Sequence, residues 1–498
     1  MVQIVASAPT SISTPRPEVS KLLPRYKIIR DVIEQNVEDL GECYLPCPSG
    51  KPKNDRTAEE NIRYNNYVLR AIFYNFVART LVGFIGQIFS REIELKVPTT
   101  LDTLVKDVTG DGLTLEQLAK EACAEALSVG RFGLLVDYPK SDRAFTKAEV
   151  DEGVARPVIL PYKAEQIIDW DFKKVGAKWV LCFVVLKELH DYRGTDGSLN
   201  TCDQFRVLDM GEDGNGFYRQ RVWREGDHNG WVQEEEAEPI AAGSKLKEIP
   251  FTFIGAINND SKPDMPPMYD MAKINIGHYR NSADYEESIF FIGQPTFIVT
   301  GITEKWWEKV LGKVLRFGSR HGIALEKDCT AEILQAESNT MAKEGMDSKK
   351  EQLASMGAEF LRETSTEKTA TEAAINDSAR TSAISNAAKN VSAAFQFALE
   401  WCAIFQGEAE TSVMFKLNSE FDLVRMTESQ RAQLLKEFQA NVISWTEYRS
   451  ALHKAGIATE DDAKVKTEIE EKEAAELART AAEFAIANPD TPPVTGNE

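Results

Sequence analysis

The chain has 498 residues, which is more than one hydrophobic core usually supports and predicts about three structural units. Hydrophobic residues make up 43% and charged residues 27%, so the composition is that of a folded globular protein and excludes a mainly disordered chain. Acidic residues outnumber basic ones, 78 to 58, and the formal charge of −20 disfavours tight DNA binding through summed charge.

The seven cysteines are scattered, and their odd number disfavours a closed disulfide framework. They fit thiols in a reducing cytoplasm. The closest pair, Cys43 and Cys47, does not form a CxxC motif, and the five histidines do not cluster with cysteines at zinc-ligand spacing. We therefore expect neither a metal nor a cofactor.

The first 24 residues lack the basic start and apolar core of a secretory signal and are predicted to form a flexible arm. From Pro24 to about Glu92 the pattern is helical, with a capping box at Thr57-Ala-Glu-Glu60. The apolar stretch from Ala71 to Phe89 contains Asn, Arg and Gln, which favours a buried core helix over a membrane span.

A second capping box, Thr114-Leu-Glu-Gln117, predicts a helix that ends at Gly130. Short β-branched and aromatic runs then predict a β-rich unit from about Phe132 to Ile257. Within it, the segment Asp209 to Gly216 resembles a calcium loop, but Gln220 occupies the position of the bidentate glutamate. The glycines and asparagine favour a hairpin turn instead.

The next part alternates long helices with a compact insert. A helix over 267–292 carries an apolar stripe at three- and four-residue spacing, and a polar loop before Thr369-Ala-Thr-Glu372 precedes another long helix. From about Glu420 the chain is helical and charged, with a capping box at Ser444-Trp-Thr-Glu447, and the last residues are predicted to be a disordered tail. The expected segments are a helix at 267–292, an αβ insert at 293–338, a helix at 339–362, a loop at 363–371, a long helix and return at 372–419, a helical segment at 420–480 and a tail at 481–498.

Motifs of common enzymes are absent from the sequence. It contains neither a GxxxxGK[ST] phosphate loop nor a GxSxG elbow, which excludes a P-loop motor. Four aspartates in predicted loops are candidates for a two-metal nuclease site, but their spacing matches no such motif and solvated loop carboxylates are the simpler interpretation. They are Asp137, Asp169, Asp171 and Asp191.

Two further features admit a functional and a structural interpretation. His278 lies in the helix 267–292 and is interpreted as part of a packed polar face, because the sequence places no partner for a catalytic base. Basic residues recur at helical spacing in the insert, where phosphate contact and a solvated or ion-paired face are equally compatible with the pattern. They are Lys305, Lys309, Lys313, Arg316 and Arg320.

The order of the sequence segments resembles that of the portal proteins of tailed bacteriophages. The matching segments run from Arg25-Tyr-Lys-Ile-Ile-Arg-Asp31, GECYLP and GRFGLLVDYP to MYDMAKINIGHYRNSADYEES, QPTFIVTG and MGAEFLRETSTEKTATEA. The C-terminal NVISWTEYRSALHKAGIATEDD completes the series. The resemblance covers residues from about 25 to 470, and it lies in the order of the segments rather than in one motif.

The resemblance implies an α+β portal fold with wing, stem, clip and crown around a tunnel. It places the wing at 25–266, the stem helices at 267–292 and 339–362, the clip at 293–338 and the crown at 420–480. The candidate tunnel loop would contain Glu363, Thr364, Ser365, Thr366, Glu367, Lys368 and Thr369.

The same resemblance implies a structural role rather than an enzyme. It implies a homo-dodecameric ring at a capsid vertex in the virion, assembled in the host cytoplasm, through which double-stranded DNA passes with low affinity. The implied partners are the large terminase subunit, the major capsid and scaffolding proteins, and head-completion or adaptor proteins, with no membrane. The alternatives are another head–tail connector component and, more remotely, a metal-dependent cytoplasmic hydrolase.

Overall fold

The computed structural model divides the chain into two compact units, residues 1–419 and residues 420–498. The residues that the structure describes are 12–138, 156–194, 196–211, 216–225, 230–241, 244–294, 296–314, 325–335, 340–358, 370–419, 428–440, 442–454, 457–458 and 462–487. Both helices and sheets contribute to the first unit, so the expected α+β class is confirmed. None of the described helices is long and apolar enough to cross a membrane.

The helices of the first unit include the long elements that were expected after residue 266. They are α1 (Pro17–Ile33), α2 (Ala58–Arg70), α3 (Phe76–Ile88), α4 (Asp102–Lys106), α5 (Leu115–Ser128), α6 (Tyr269–Ile292), α7 (Glu304–Lys309), α8 (Met341–Leu353) and α9 (Ala370–Gln406).

In the part of the chain that the structure describes, the strands form one five-stranded sheet and four smaller sheets. They are β1 (Glu94–Lys96), β2 (Arg131–Asp137), β3 (Val158–Lys163), β4 (Ile167–Val175), β5 (Lys178–Arg193), β6 (Leu199–Asp209), β7 (Arg219–Glu225), β8 (Trp231–Ala237), β9 (Ile240–Ala241), β10 (Ser244–Lys245), β11 (Phe251–Gly255), β12 (Thr296–Thr300), β13 (Thr330–Leu334) and β14 (Met414–Lys416). These strands pair antiparallel, in the orders β4-β5-β6-β7-β8, β11-β2-β3, β1-β14, β9-β10 and β12-β13.

The predicted β-rich unit is confirmed, and so is the hairpin at Asp209. Strand β6 pairs directly with β7, with Asp209 opposite Arg219. The Asp209 carboxylate accepts hydrogen bonds from the Gly211 amide at 2.9 Å and from Arg219 and Arg221 at 2.5 and 2.9 Å. Because two arginines already neutralise this carboxylate, Asp209 is engaged within the hairpin and is not free to bind calcium.

The N-terminal arm is shorter than predicted. Ile12 is buried in a cluster with apolar side chains of the five-stranded sheet, and α1 begins at Pro17 rather than after residue 24. Pro17 occupies the first helical turn, where its missing amide hydrogen costs nothing. The prediction of a flexible arm was therefore wrong for residues 12–24, while residues 1–11 lie outside the described part.

Both N-terminal capping boxes are confirmed. Thr57 and Thr114 accept from the amides of Glu60 and Gln117, whose side chains bond back to the cap amides. The predicted apolar helix is corrected, because Ala71 to Asn75 are not helical and α3 begins only at Phe76.

The long helices largely follow the predicted boundaries. Helix α6 begins two residues after the expected start, and its predicted apolar stripe is buried from Met268 to Ala283. Helix α8 ends at Leu353 instead of 362, because residues 354–358 form a wider turn in which Gly357 has φ +124°. Helix α9 already includes Ala370 and Thr371, which had been assigned to the loop.

The described residues of the second unit form three helices, and the predicted assignment of this unit as a crown stays a prediction. They are α10 (Glu428–Gln439), α11 (Trp445–Lys454) and α12 (Asp462–Ala487). The capping box before α11 is confirmed, since the Glu447 amide donates to Ser444 Oγ at 3.2 Å and Glu447 accepts from the Ser444 amide at 2.8 Å. Helix α12 extends beyond the predicted start of the tail at 481, as its alanine-rich end favours.

Candidate functional site

Helices α6 and α8 form an antiparallel pair whose connection is the β12–β13 insert. The pair approaches closely at two glycines. A Cβ atom at Gly277 would lie 2.9 Å from Lys349 Cε, and one at Gly345 would collide with the end of the Asn281 side chain. The Asn281 amide fits between them, accepting from Lys349 Nζ at 3.2 Å and donating to the Gly277 carbonyl at 3.3 Å. This contact fixes the register of the two helices without a large apolar interface.

The opposite side of α6 binds the extended segment between α2 and α3. Asn275 is fully buried, and its side-chain oxygen accepts from the Phe76 amide at 2.9 Å and the Val77 amide at 3.3 Å. Its Nδ2 donates to the Tyr74 carbonyl at 2.8 Å. Asn275, about 200 residues away in the sequence, thus supplies the hydrogen-bond partners that a continuous helix would provide to these backbone groups. This is why the predicted helix from Ala71 is interrupted.

His278 is buried in the same helix, as the interpretation of a packed polar face expected. Its ring meets Tyr74 and Phe76 edge-on, with centroids 5.7 and 5.2 Å apart. Burial, reinforced by Lys349 and Lys350, lowers the pKa of His278 to about 4. The histidine is therefore a neutral packing residue at physiological pH, because burial and the two lysines outweigh the opposing effect of Asp347.

The far end of α6 and the insert expose a group of large apolar side chains, which we call the apolar tip. They are Ile289, Phe290, Phe291, Phe297, Ile298, Ile333 and Leu334. Phe291 is 67% exposed at the end of α6, and Gln335 donates to the Ile292 carbonyl, which places the base of the hairpin beside the helix end. The sequence pattern did not predict this surface, although two consecutive phenylalanines before a Gly-Gln-Pro break are a visible signal.

The insert is a small two-stranded sheet with one short helix. Thr296 pairs with Leu334 and Thr300 with Thr330, and most side chains of both strands are exposed. Of the predicted basic group, Lys305 and Lys309 lie one turn apart on α7 and are exposed. Lys313 forms an ion pair with Glu308 at 2.8 Å, while Arg316 and Arg320 lie outside the described residues.

The candidate tunnel loop, Glu363 to Thr369, also lies outside the described residues. Gly357 lies in the described segment before this loop and has a positive φ, a conformation that glycine adopts readily. A Cβ atom at this position would lie 3.1 Å from Phe84 Cζ and 3.9 Å from Met271 Cε. The backbone at Gly357, which follows α8, therefore packs closely against side chains of α3 and α6.

The four aspartates lie in strands β2, β4 and β5, so their predicted placement in loops was wrong, and they do not converge on one site. Asp137 accepts from Gln220 at 2.8 Å, and Asp191 accepts from the Thr201 hydroxyl at 2.7 Å. Asp169 and Asp171 each accept the amide of the following residue on β4, at 2.9 and 2.8 Å. Within the described ranges, no group of three or more His, Cys, Asp or Glu is arranged to hold a metal ion. Each aspartate has a local structural partner instead.

Comparison with known proteins gives one family match and distant structural likenesses. A family model described as a domain of unknown function, DUF4055, matches residues 267–406, the stretch from the start of α6 to the end of α9. No curated protein matches. Among solved structures, the chain is similar to one described as the virion of a native gene transfer agent (GTA) particle, with 13% identity, TM-score 0.42, and coverage of 84% of this chain and 98% of that chain. It is also similar to one described as the neck of an empty GTA particle computed with C6 symmetry, with 12% identity, TM-score 0.39, and coverage of 80% and 92%.

Proposed function

We propose that this chain is the portal subunit of a tailed-phage-like particle. Twelve copies would form a ring at a capsid vertex, through which DNA is packaged and ejected. The proposal rests on the resemblance of the ordered sequence segments to portal proteins and on the antiparallel α6–α8 pair with its insert, which has the arrangement expected of a stem and clip. It is a structural role and not an enzymatic one.

The observation that carries the proposal is the apolar tip. Seven large apolar side chains are exposed on one continuous piece of chain, from the end of α6 through both strands of the insert. Exposed apolar groups of this size mark association surfaces, since leaving them in water costs about 25 cal/mol per Å². A neighbouring copy would cover this surface in a closed ring, because a head-to-tail contact that repeats by a fixed rotation buries it on every copy.

The charge of the chain supports a conduit rather than a DNA-binding protein. At −20 per chain, a ring repels the DNA backbone and lets it slide. Lys305 and Lys309 remain exposed on α7, where terminase or adaptor proteins would dock on the clip. Head-completion proteins would use the same end of the ring after packaging, and scaffolding and capsid proteins would contact the wing.

The test is assembly of the purified, untagged chain, followed by mass photometry and negative-stain imaging. We expect rings with a central hole and a mass near twelve times the 55.7 kDa of one chain. Replacing Phe290 and Phe291 by serine should shift the protein towards monomers. The control Ile257→Ser alters an equally exposed apolar residue in a loop of the wing and should leave the rings intact. A stable monomer at every concentration would overturn the proposal, and a ring of different stoichiometry without a through-channel would favour another connector component.

A further inference from the structure

The two edges of the five-stranded sheet carry opposite charge. Strand β4 forms one edge and β8 the other. The tip of the β4–β5 hairpin presents Lys174 and Lys178 beside Trp179, which is 67% exposed. Strand β8 presents Glu234, Glu235 and Glu236 in succession. The sheet therefore has a basic corner on one side and an acidic strand on the other.

Lys174, Lys178 and Glu234 are exposed and available for a partner, whereas Glu235 lies 3.8 Å from Arg224. Within the described residues, Lys174 and Lys178 form no ion pair. Glu234 is the extra residue of a bulge in β8, because Glu235 pairs with Val222 and Gln233 with Trp223. Glu236 accepts a hydrogen bond from Gln233 Nε2 at 2.9 Å, its carboxylate lies 3.8 Å from Arg219 Nη1, and its side chain is still 47% exposed. Exposed pairs at such distances contribute little to the subunit itself.

Addition of a further strand along β4 is blocked. The carboxylates of Asp169 and Asp171 occupy the amides of Trp170 and Phe172 at 2.9 and 2.8 Å. The Arg16 amide donates to the Ile168 carbonyl at 2.9 Å, and the Arg16 guanidinium donates to the Trp170 carbonyl. Because the backbone from Ile168 to Phe172 is already engaged, a neighbour would meet this part of the edge through side chains.

We infer that the basic β4–β5 corner of one copy contacts the acidic β8 strand of the next copy around the ring. Opposite edges of one sheet point in opposite directions, so a contact between them is head-to-tail and repeats by rotation, as a closed ring requires. Charge complementarity identifies the partner as a second copy of this chain, and Trp179 supplies an apolar anchor between the charges. The inference rests on the proposed ring.

The experiment uses charge reversal and its compensation in the full chain. One variant carries Lys174→Glu and Lys178→Glu, a second carries Glu234→Lys and Glu236→Lys, and a third carries all four substitutions. Ring formation is followed by mass photometry over a dilution series at two salt concentrations. A matched control, Lys21→Glu with Lys53→Glu, makes the same change in net charge on exposed lysines of α1 and of the turn before α2.

Each two-site variant should require about tenfold more protein to assemble, since exposed pairs are weak individually and like charges then face each other. The four-site variant should assemble like the original chain, and the control should be unchanged. Rings that form equally well in all variants, or a four-site variant that stays impaired, would overturn the inference while leaving the portal proposal intact. Absence of rings in the original chain would instead overturn the portal proposal, and the inference with it.

Discussion

Arg30 of α1 donates two parallel hydrogen bonds to the carboxylate of the buried Glu125 of α5. Its Nη1 and Nη2 lie 2.5 and 2.7 Å from the two carboxylate oxygens, and its Nε and Nη2 lie 3.0 Å from those of Glu165. Burial raises the pKa of Glu125, and the Arg30 hydrogen bonds oppose that rise. One arginine thus joins α1, α5 and the turn before β4.

Replacing Arg30 by methionine should destabilise the first unit strongly. The substitution leaves Glu125 buried without a cation and next to Glu165, and loss of one partner of a buried pair costs about 3–5 kcal/mol. Urea unfolding followed by circular dichroism measures the change. The control Lys120→Met removes the exposed partner of Glu116 on α5 and should cost at most about 1 kcal/mol. Equal losses of unfolding free energy in the two variants would show that the buried Arg30–Glu125 pair stabilises the protein no more than the exposed Lys120–Glu116 pair.

Local patterns in the sequence were sufficient for elements whose hydrogen bonds are local. The capping boxes at Thr57, Thr114 and Ser444 each satisfy their amides within four residues, so the structure reproduces them. The stripe from Met268 to Ala283 was likewise readable, because one helix face carries it. Those predictions required no knowledge of the rest of the chain.

The features that the sequence did not reveal depend on distant partners. The interruption before α3 exists because Asn275 supplies acceptors to Phe76 and Val77. The early end of α8 depends on Gly357 packing against Phe84. The apolar tip was missed for a related reason: periodicity identifies apolar residues, but only the packed structure shows which of them remain uncovered.

His278 predicts a loss of stability on acidification. Its pKa of about 4 lies below the ordinary value of 6.5, so between these pH values the histidine is protonated in the unfolded chain but not in the folded chain. Stability should therefore be independent of this residue above pH 6.5 and fall by at most about 1.4 kcal/mol per pH unit as pH drops towards 4. The positive charges of Lys349 and Lys350 oppose protonation, whereas Asp347 favours it.

The measurement is the free energy of unfolding at pH 7 and pH 5 for the original chain and for His278→Gln. The variant should be less stable at pH 7 because glutamine packs poorly against Tyr74 and Phe76, but its loss between the two pH values should be smaller. His190→Gln on β5 serves as the matched control and should keep the original difference. An unchanged pH dependence in His278→Gln would contradict the assignment.

Gly357 and Gly86 should respond to alanine in opposite directions. At Gly357 the new Cβ meets Phe84 at 3.1 Å, and φ is +124°, so alanine should cost about 1–3 kcal/mol. At Gly86, inside α3, no atom lies within 4 Å of the added Cβ, and alanine should stabilise the helix by up to about 1 kcal/mol. Thermal unfolding of the two variants checks the contrast, and a shift of the same sign in both would refute it.

Substitutions of Asp171 can distinguish two roles for the β4 carboxylates, hydrogen bonding to the backbone and catalysis. Its Oδ1 accepts the Phe172 amide at the edge of the sheet, so Asp171→Ala should leave that amide to water and speed its hydrogen exchange. Asp171→Asn keeps an acceptor oxygen and should restore slow exchange. Asp191→Ala, which removes only an acceptor for the Thr201 hydroxyl, should leave the Phe172 amide unchanged.

The same three variants also test the remaining hydrolase alternative. A catalytic carboxylate coordinates metal through its charge, so Asp171→Asn would abolish a magnesium-dependent cleavage of nucleic acid even though it preserves the hydrogen bond. A structural carboxylate gives the reverse result, in which asparagine behaves like aspartate in the exchange experiment and no cleavage appears in any of the proteins. Because the two roles make opposite demands on the asparagine variant, that single substitution decides between them.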